Sequence, residues 1–143
     1  MSKFLKFNIV DSGALATQGT ELVNVDQIQS VSYVVGTGVL SIILKGSIAL
    51  QKAYTLAANG AGSVPNVNYG YRVISITVRT TKDGSAGVPA ITNGPKSPQK
   101  AVYAAMTANP GGVQSTVQLG LDEAATPVQM YFSEFTIGTA VIV

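Results

Sequence analysis

The sequence predicts a mainly β fold: a small antiparallel β-barrel or sandwich with one short α-helix at about residues 98–108 and two long loops. Three observations lead there. Apolar residues alternate with a period of two along most of the chain, as in strands that bury one face. A full set of helix start and stop signals occurs once, around Ser97-Pro98 and Asn109-Pro110. The 143 residues contain no cysteine and show no internal repeat, linker or composition break, so residues 1–143 form one domain that needs no covalent staple.

The elements follow in order. In Lys3–Val10, Leu5, Phe7 and Ile9 face one way and Phe4, Lys6 and Asn8 the other. From Glu21 to Val35 the alternation continues, but its phase slips near Asp26-Gln27. A one-residue slip turns every later side chain to the other face, so the chain must bend or bulge there, as one long bent strand or two strands sharing a corner. Gly36-Thr37-Gly38 is a compact turn into VLSIILK (Val39–Lys45), and Gly46-Ser47 a second turn into Ile48–Leu56. The stretch 57–70, fourteen residues rich in Gly, Asn and Ala, has no periodicity and is the first long loop. Tyr71–Thr80 is the cleanest strand, and Thr81–Lys96, broken by Lys82-Asp83-Gly84, Pro89, Asn93-Gly94 and Pro95, is the second long loop.

For the helix, Ser97 supplies a capping hydroxyl, Pro98 sits at the first position where its missing N–H costs nothing, and Asn109-Pro110-Gly111-Gly112 stops the chain. Val102, Ala105 and Met106 share one face, a small and smooth surface for a sheet. Strands resume at Val113–Leu119 and Val128–Phe135, where Tyr131, Phe132 and Phe135, with Met130, form the densest aromatic group and read as a continuous core or interface strand. Phe135–Val143, FTIGTAVIV, has no charged side chain and no proline, so it must pair inside the fold or with another chain.

Composition excludes whole classes of chemistry. Without His or Cys the chain cannot build a Ser-His-Asp triad, a thiolate nucleophile, a Cys/His zinc site or a disulfide. Charged residues make up 11% of the chain, and 9 Lys and Arg against 7 Asp and Glu leave a net charge of +2, without the basic patch of a non-specific nucleic-acid binder. At the N-terminus, Lys3 and Ala14-Leu15-Ala16 imitate a secretory signal, but Lys6, Asn8 and Asp11 interrupt the apolar stretch it requires. Val34–Leu50 is the best window for a membrane span, and Lys45 splits it. A protein outside the membrane is expected.

Each group with a chemical reading also has a plainer one. Gly94-Pro95-Lys96-Ser97 ends like a phosphate-binding loop but lacks the upstream glycine at the required spacing, and Lys96 reads as a solvated lysine. Asp122-Glu123 is the one adjacent acidic pair; it could contribute to a cation site with loop carbonyls, but without EF-hand spacing it reads as a capping or solvated turn. Arg72 and Arg79, seven apart on one strand, point to opposite faces and cannot clamp one ligand, while Tyr69 and Tyr71 beside Arg72 offer a small aromatic-basic surface or cover a core edge. No residue is assigned as catalytic, cofactor-binding or metal-binding, and no cofactor or small-molecule substrate is expected.

The run Lys3-Phe4-Leu5-Lys6, the bent segment Glu21–Val31 (ELVNVDQIQSV), the turn into VLSIILK, and the Ala-rich helix with its Asn-Pro stop at Ala101–Pro110 together resemble small β-barrel proteins of marine tailed phages and marine metagenomes, some of them similar to the Sm-like barrel. The resemblance covers about half the chain. It implies a ring-forming or lattice-binding barrel, located in a virion or in the host cytoplasm, with itself and other virion proteins as partners. The Asp-x-apolar-Asn loop and Arg-Gly pair of the Sm-like RNA pocket have no counterparts here, and the inserts at 57–70 and 81–96 depart from a minimal barrel. The expectation is therefore a non-enzymatic structural or assembly protein; the alternative is an Sm-like or OB-like nucleic-acid-binding module. Charges are absent from 53–71 and from 135–143, stretches that a solitary soluble protein would decorate with Lys and Glu.

Overall fold

The computed structural model describes residues 3–10, 19–46, 48–51, 55–56, 63–64, 67–92, 94–108 and 112–141. Its first strand, β1 (Phe4–Ile9), buries Leu5, Phe7 and Ile9 as the alternation requires. It pairs antiparallel with β2 (Gly19–Asn24), from Phe4 opposite Asn24 to Ile9 opposite Gly19. The phase slip at Asp26-Gln27 is a corner: a single 3₁₀ turn, Val25–Gln27, follows β2 and leads directly into β3 (Ile28–Val34). The Asn24 side chain caps that turn by accepting from the Asp26 amide at 2.9 Å.

Beyond the corner, β3 pairs with β4 (Val39–Leu44) through the compact turn expected at Gly36–Gly38. Gly38 takes φ +67°, and a Cβ there would lie 3.0 Å from the backbone carbonyl oxygen of Val78, so the tight approach of this turn to the neighbouring strand favours glycine. The second turn expected at Gly46-Ser47 does not reverse the chain. β4 and β5 (Ile48–Gln51) run in the same direction along one partner, β8 (Val67–Arg79), with Ile43 opposite Val73 and Ile48 opposite Gly70. Five steps on one strand face three on the other, so Gly46, at φ +89°, marks a bulge. A glycine with positive φ serves a bulge as well as a hairpin, and only the pairing partner tells them apart.

The first long loop is likewise partly strand. Its residues 63–64 form β7 and pair with β6 (Thr55–Leu56), while 67–70 begin β8 and pair with β5. Gly, Asn and Ala carry no alternation to read, and the opposite strand imposes the pairing. Residues 57–62 and 65–66 lie outside the described residues.

The helix α1 spans Pro98–Thr107, with Ser97 as its cap and Pro98 at its start, and buries Pro98, Val102 and Ala105; the stop signal at 109–111 lies outside the described residues. The strand expected at Val113–Leu119 shortens to β9 (Gln114–Thr116), and the two segments expected at the C-terminus merge into one strand, β10 (Tyr131–Val141).

The strands form one eight-stranded sheet along the path β2-β1-β10-β8-β4-β3, with β5 beside β8 and β9 beside β1. The sheet is mixed rather than antiparallel, because β1 runs parallel to both β10 and β9. Side-chain alternation reports which face a residue takes and is silent on strand direction. Nor is it closed as a barrel: its two end strands, β2 and β3, are not paired with each other. Six strands laid flat would put those ends about 24 Å apart at about 4.8 Å per strand. Asn24 and Ile28, joined through the 3₁₀ turn, can span at most about 14 Å. The sheet therefore curls, and its concave face holds the core: Leu5, Phe7, Leu40, Ile42, Ile76 and Val78 are fully buried there.

Phe7 sits in the middle of this core. Its ring meets Phe132 edge to face at 5.2 Å between centroids and Phe135 at 6.3 Å; of the expected aromatic group Phe132, Phe135 and Met130 are core, while Tyr131 is half-buried. Helix α1 lies across the opening of the curl, in contact with β3 on one side and with β1 and β9 on the other. Three side chains fasten it. Gln99 Nε2 and Tyr103 OH both donate to the Val31 carbonyl, at 2.7 and 3.3 Å, and Lys3 Nζ donates to the carbonyls of Met106 and Ala108, placing a cation at the negative end of the helix.

Replacing Phe7 by Ala empties the centre of the core and is expected to cost about 3–5 kcal/mol of unfolding free energy, read from urea denaturation followed by far-ultraviolet circular dichroism. A loss below about 1 kcal/mol would show that the core is organised elsewhere.

Candidate functional site

The acidic pair is where side-chain chemistry is densest, and its role is structural. Asp122 is 2% exposed. Its carboxylate accepts from the amides of Ala90 at 3.2 Å, Val128 at 3.0 Å and Ala124 at 3.3 Å. Glu123 accepts from both the amide and the hydroxyl of Thr92 at 2.7 Å. Together they pin the irregular segment after β8 to the loop before β10, and the second long loop is ordered by these bonds and by its own. Thr80 and Thr81 donate their amides to the Gly87 and Ala86 carbonyls, and Asp83 accepts from the Ser85 amide and hydroxyl. Capping therefore describes Asp122, and solvated turn does not.

Burial pushes the Asp122 carboxyl up, but the Val128, Ala90 and Ala124 amides, with the charge of Lys96, reverse that push and hold it below the ordinary carboxylic value. Glu123 is lowered by the Thr92 amide and hydroxyl, and Asp83 by the Ser85 hydroxyl and amide. Oxygens already occupied by amide donors are poorly placed to collect a cation, and no group of three or more acidic side chains gathers among the described residues.

The other sequence candidates are dispersed. Ser97 of the phosphate-loop-like stretch is buried and accepts from the Gln99 amide at 3.3 Å, while Lys96 is exposed. Lys96 and Lys100 stand at the rim of an open cleft of about 430 Å³ between the start of α1 and residues 118–121, whose wall includes Ala101, Ala104, Leu119 and Leu121. Arg79 donates to the carbonyls of Thr37 at 3.1 Å and Val78 at 2.8 Å, which ties it to the β3–β4 turn. Arg72 is exposed on β8, so no arginine clamp forms, as the seven-residue spacing requires. Tyr71 is half-buried, and the side chain of Tyr69 lies outside the described residues. Two features escaped the sequence: Lys3 as a helix-capping cation, and Tyr33, whose buried hydroxyl has no hydrogen-bond partner among the described residues. Burial pushes the Tyr33 phenol up, against the charge of Arg79. A lone Lys and a lone Tyr carry no motif, so no sequence signal marks either.

What the fold does bring together is the charge-free sequence. The segment 53–71 and the segment from 135 onward are far apart in the chain, yet β8 and β10 pair along their full overlap, with Tyr71 opposite Ala140 and Gly70 opposite Val141. With β5 on the other side of β8, they form a three-stranded end of the sheet that runs on past the core residues, the first of which on β8 is Ile74, and that carries one charged side chain among the described residues, Arg72 opposite Thr139. Ile137, on that end of β10, is 63% exposed. No helix among the described residues is long and apolar enough to cross a membrane. Comparison of the chain with family models, curated proteins and solved structures gives no match.

Two outcomes are expected. Asp122→Ala leaves three amides without their acceptor and lowers stability by roughly 2–4 kcal/mol, whereas Tyr33→Phe removes an unpaired hydroxyl and is neutral or stabilising by thermal melting. Because Asp83, Asp122 and Glu123 are all lowered in the folded state, their contribution is complete above the unfolded-state values, at about pH 5 and higher, and is lost as pH falls through about 4 and below. Equilibrium denaturation from pH 6 to pH 2 is expected to show this decline, with a shallower slope in Asp122→Asn. An unchanged slope would remove Asp122 from the account.

Proposed function

We propose that this protein is a non-enzymatic structural protein that assembles with copies of itself and with a larger shell, of the virion-associated kind implied by its resemblance to small phage β-barrel proteins. The observation that supports this reading is the meeting of the two charge-free stretches in one sheet end. An isolated protein guards such an end with lysines, prolines or a covering element. Guards are few here: Gln99 and Tyr103 bind the Val31 carbonyl on β3, β2 carries Glu21, and at the β8–β10 end the one charged side chain among the described residues is Arg72, exposed opposite Thr139. The distal half of β10 has exposed Thr136, Ile137, Gly138 and Thr139. A surface of this composition is stable in water when another chain covers it.

The nucleic-acid reading finds less support. Arg79 is bound to backbone carbonyls, Arg72 stands alone, and the lysines at the cleft are two. Phosphate binding along a strand of nucleic acid draws on a row of cations.

Size-exclusion chromatography with light scattering between about 1 and 500 μM is expected to give a mass above that of one chain, rising with concentration. A single-chain mass across the whole range overturns the assembly reading. Retention of single-stranded RNA on a filter at low salt by a protein that stays monomeric would favour the alternative.

A further inference from the structure

We infer that β10 is the self-assembly edge, and that a second copy of the chain adds its own β10 antiparallel to it about a two-fold axis at Gly138. The inference rests on the assembly reading above and names its contact. On one side β10 pairs with β8 through to Val141; on the other, β1 pairs with it only at Phe132, opposite Ile9. From Glu134 to Val141 the second side has no strand partner among the described residues.

The occupant follows from the strand itself. An isologous contact sets each residue against its own copy or a near neighbour, so any charge in the window would meet a like charge. Phe135–Val141 contains none. Gly138 is the middle residue of that seven-residue window, so pairing centred on it uses the whole edge. It places Ile137 opposite Thr139 of the second copy, Thr136 opposite Ala140 and Gly138 opposite Gly138. β-branched residues suit such cross-strand pairs. A Cβ built on Gly138 meets nothing within 4 Å, so a side chain introduced at the centre finds room on the sheet face.

The size of the edge sets its strength. Seven residues make a strip about 23 Å long, and at one sheet thickness, about 10 Å, it covers about 230 Å² on each copy. Two such strips fall below the roughly 1,000 Å² of a contact that is stable by itself. The pair is therefore weak in dilute solution, and because one partner uses up the edge, it gains strength where a larger shell also holds the two copies and makes their contact intramolecular.

The chain has no cysteine, so an introduced one reports the geometry cleanly. In Gly138→Cys the two thiols face each other across the axis at about 4.5–5.5 Å between Cα atoms, within disulfide reach. In Thr136→Cys they stand about 13 Å apart along the strands, beyond it. Mild oxidation at about 200 μM, read on a non-reducing gel, is expected to link most of Gly138→Cys into dimers and to leave Thr136→Cys unlinked. Ile137→Lys puts two like charges diagonally across the axis and is expected to weaken association at least about tenfold by sedimentation equilibrium, with an unchanged melting midpoint. If Gly138→Cys links no better than Thr136→Cys, or Ile137→Lys associates like the parent, the edge assignment falls. Should the parent protein still assemble in that case, the assembly reading survives with another contact; should it remain a monomer throughout, both fall.

Discussion

The constraint on which the structure depends is the corner at Asn24–Ile28. The strands at the two ends of the sheet are successive lengths of one chain segment, held together by a single 3₁₀ turn that the Asn24 side chain caps. That short tether forbids a flat sheet. It bends six strands around one apolar face, brings β3 and β1 to opposite sides of α1, and gives Phe7 its two aromatic neighbours. A helix of ten residues suffices to cover the opening because the tether has made the opening narrow.

Polar side chains then hold what the curl leaves loose, and nearly all of them bind backbone. Gln99, Tyr103 and Lys3 fasten the helix to carbonyls, Arg79 fastens the β3–β4 turn, and Asp122 with Glu123 fastens the segment between β8 and α1. In a chain with 16 charged side chains in 143 residues, this use of them leaves few to decorate the surface. The shortage of charge that rules out much catalytic chemistry is thus the same property that leaves the far end of β8 and β10 with Arg72 as its one charged side chain among the described residues.

Where the sequence was legible, the reason is local. Leu5, Phe7 and Ile9 face the core because alternation is a property of one strand, and Ser97-Pro98 starts the helix because capping involves only adjacent residues. The corner was legible because a phase slip has no other remedy. The turn expected at Gly46 is a bulge, since a bulge and a hairpin use the same residue, and residues 63–64 and 67–70, expected as loop, are strand because residues without alternation still pair when an opposite strand offers its backbone. For Asp122 the sequence leaves a capping and a solvated turn open, and its burial depends on Ala90 and Val128, 32 residues before it and 6 after.

The sequence by itself determined the faces of the strands, the place of the one helix, the bend at Asp26-Gln27 and the absence of imidazole and thiol chemistry, since each follows from residue type and near-neighbour spacing. Only the tertiary structure decided that β1 runs parallel to β9 and β10, that the sheet stops short of closure, and that two distant charge-free stretches lie side by side. Those outcomes depend on which strand meets which. Backbone hydrogen bonding supports either direction and many registers, and the choice among them is made by how the whole chain fits around one core.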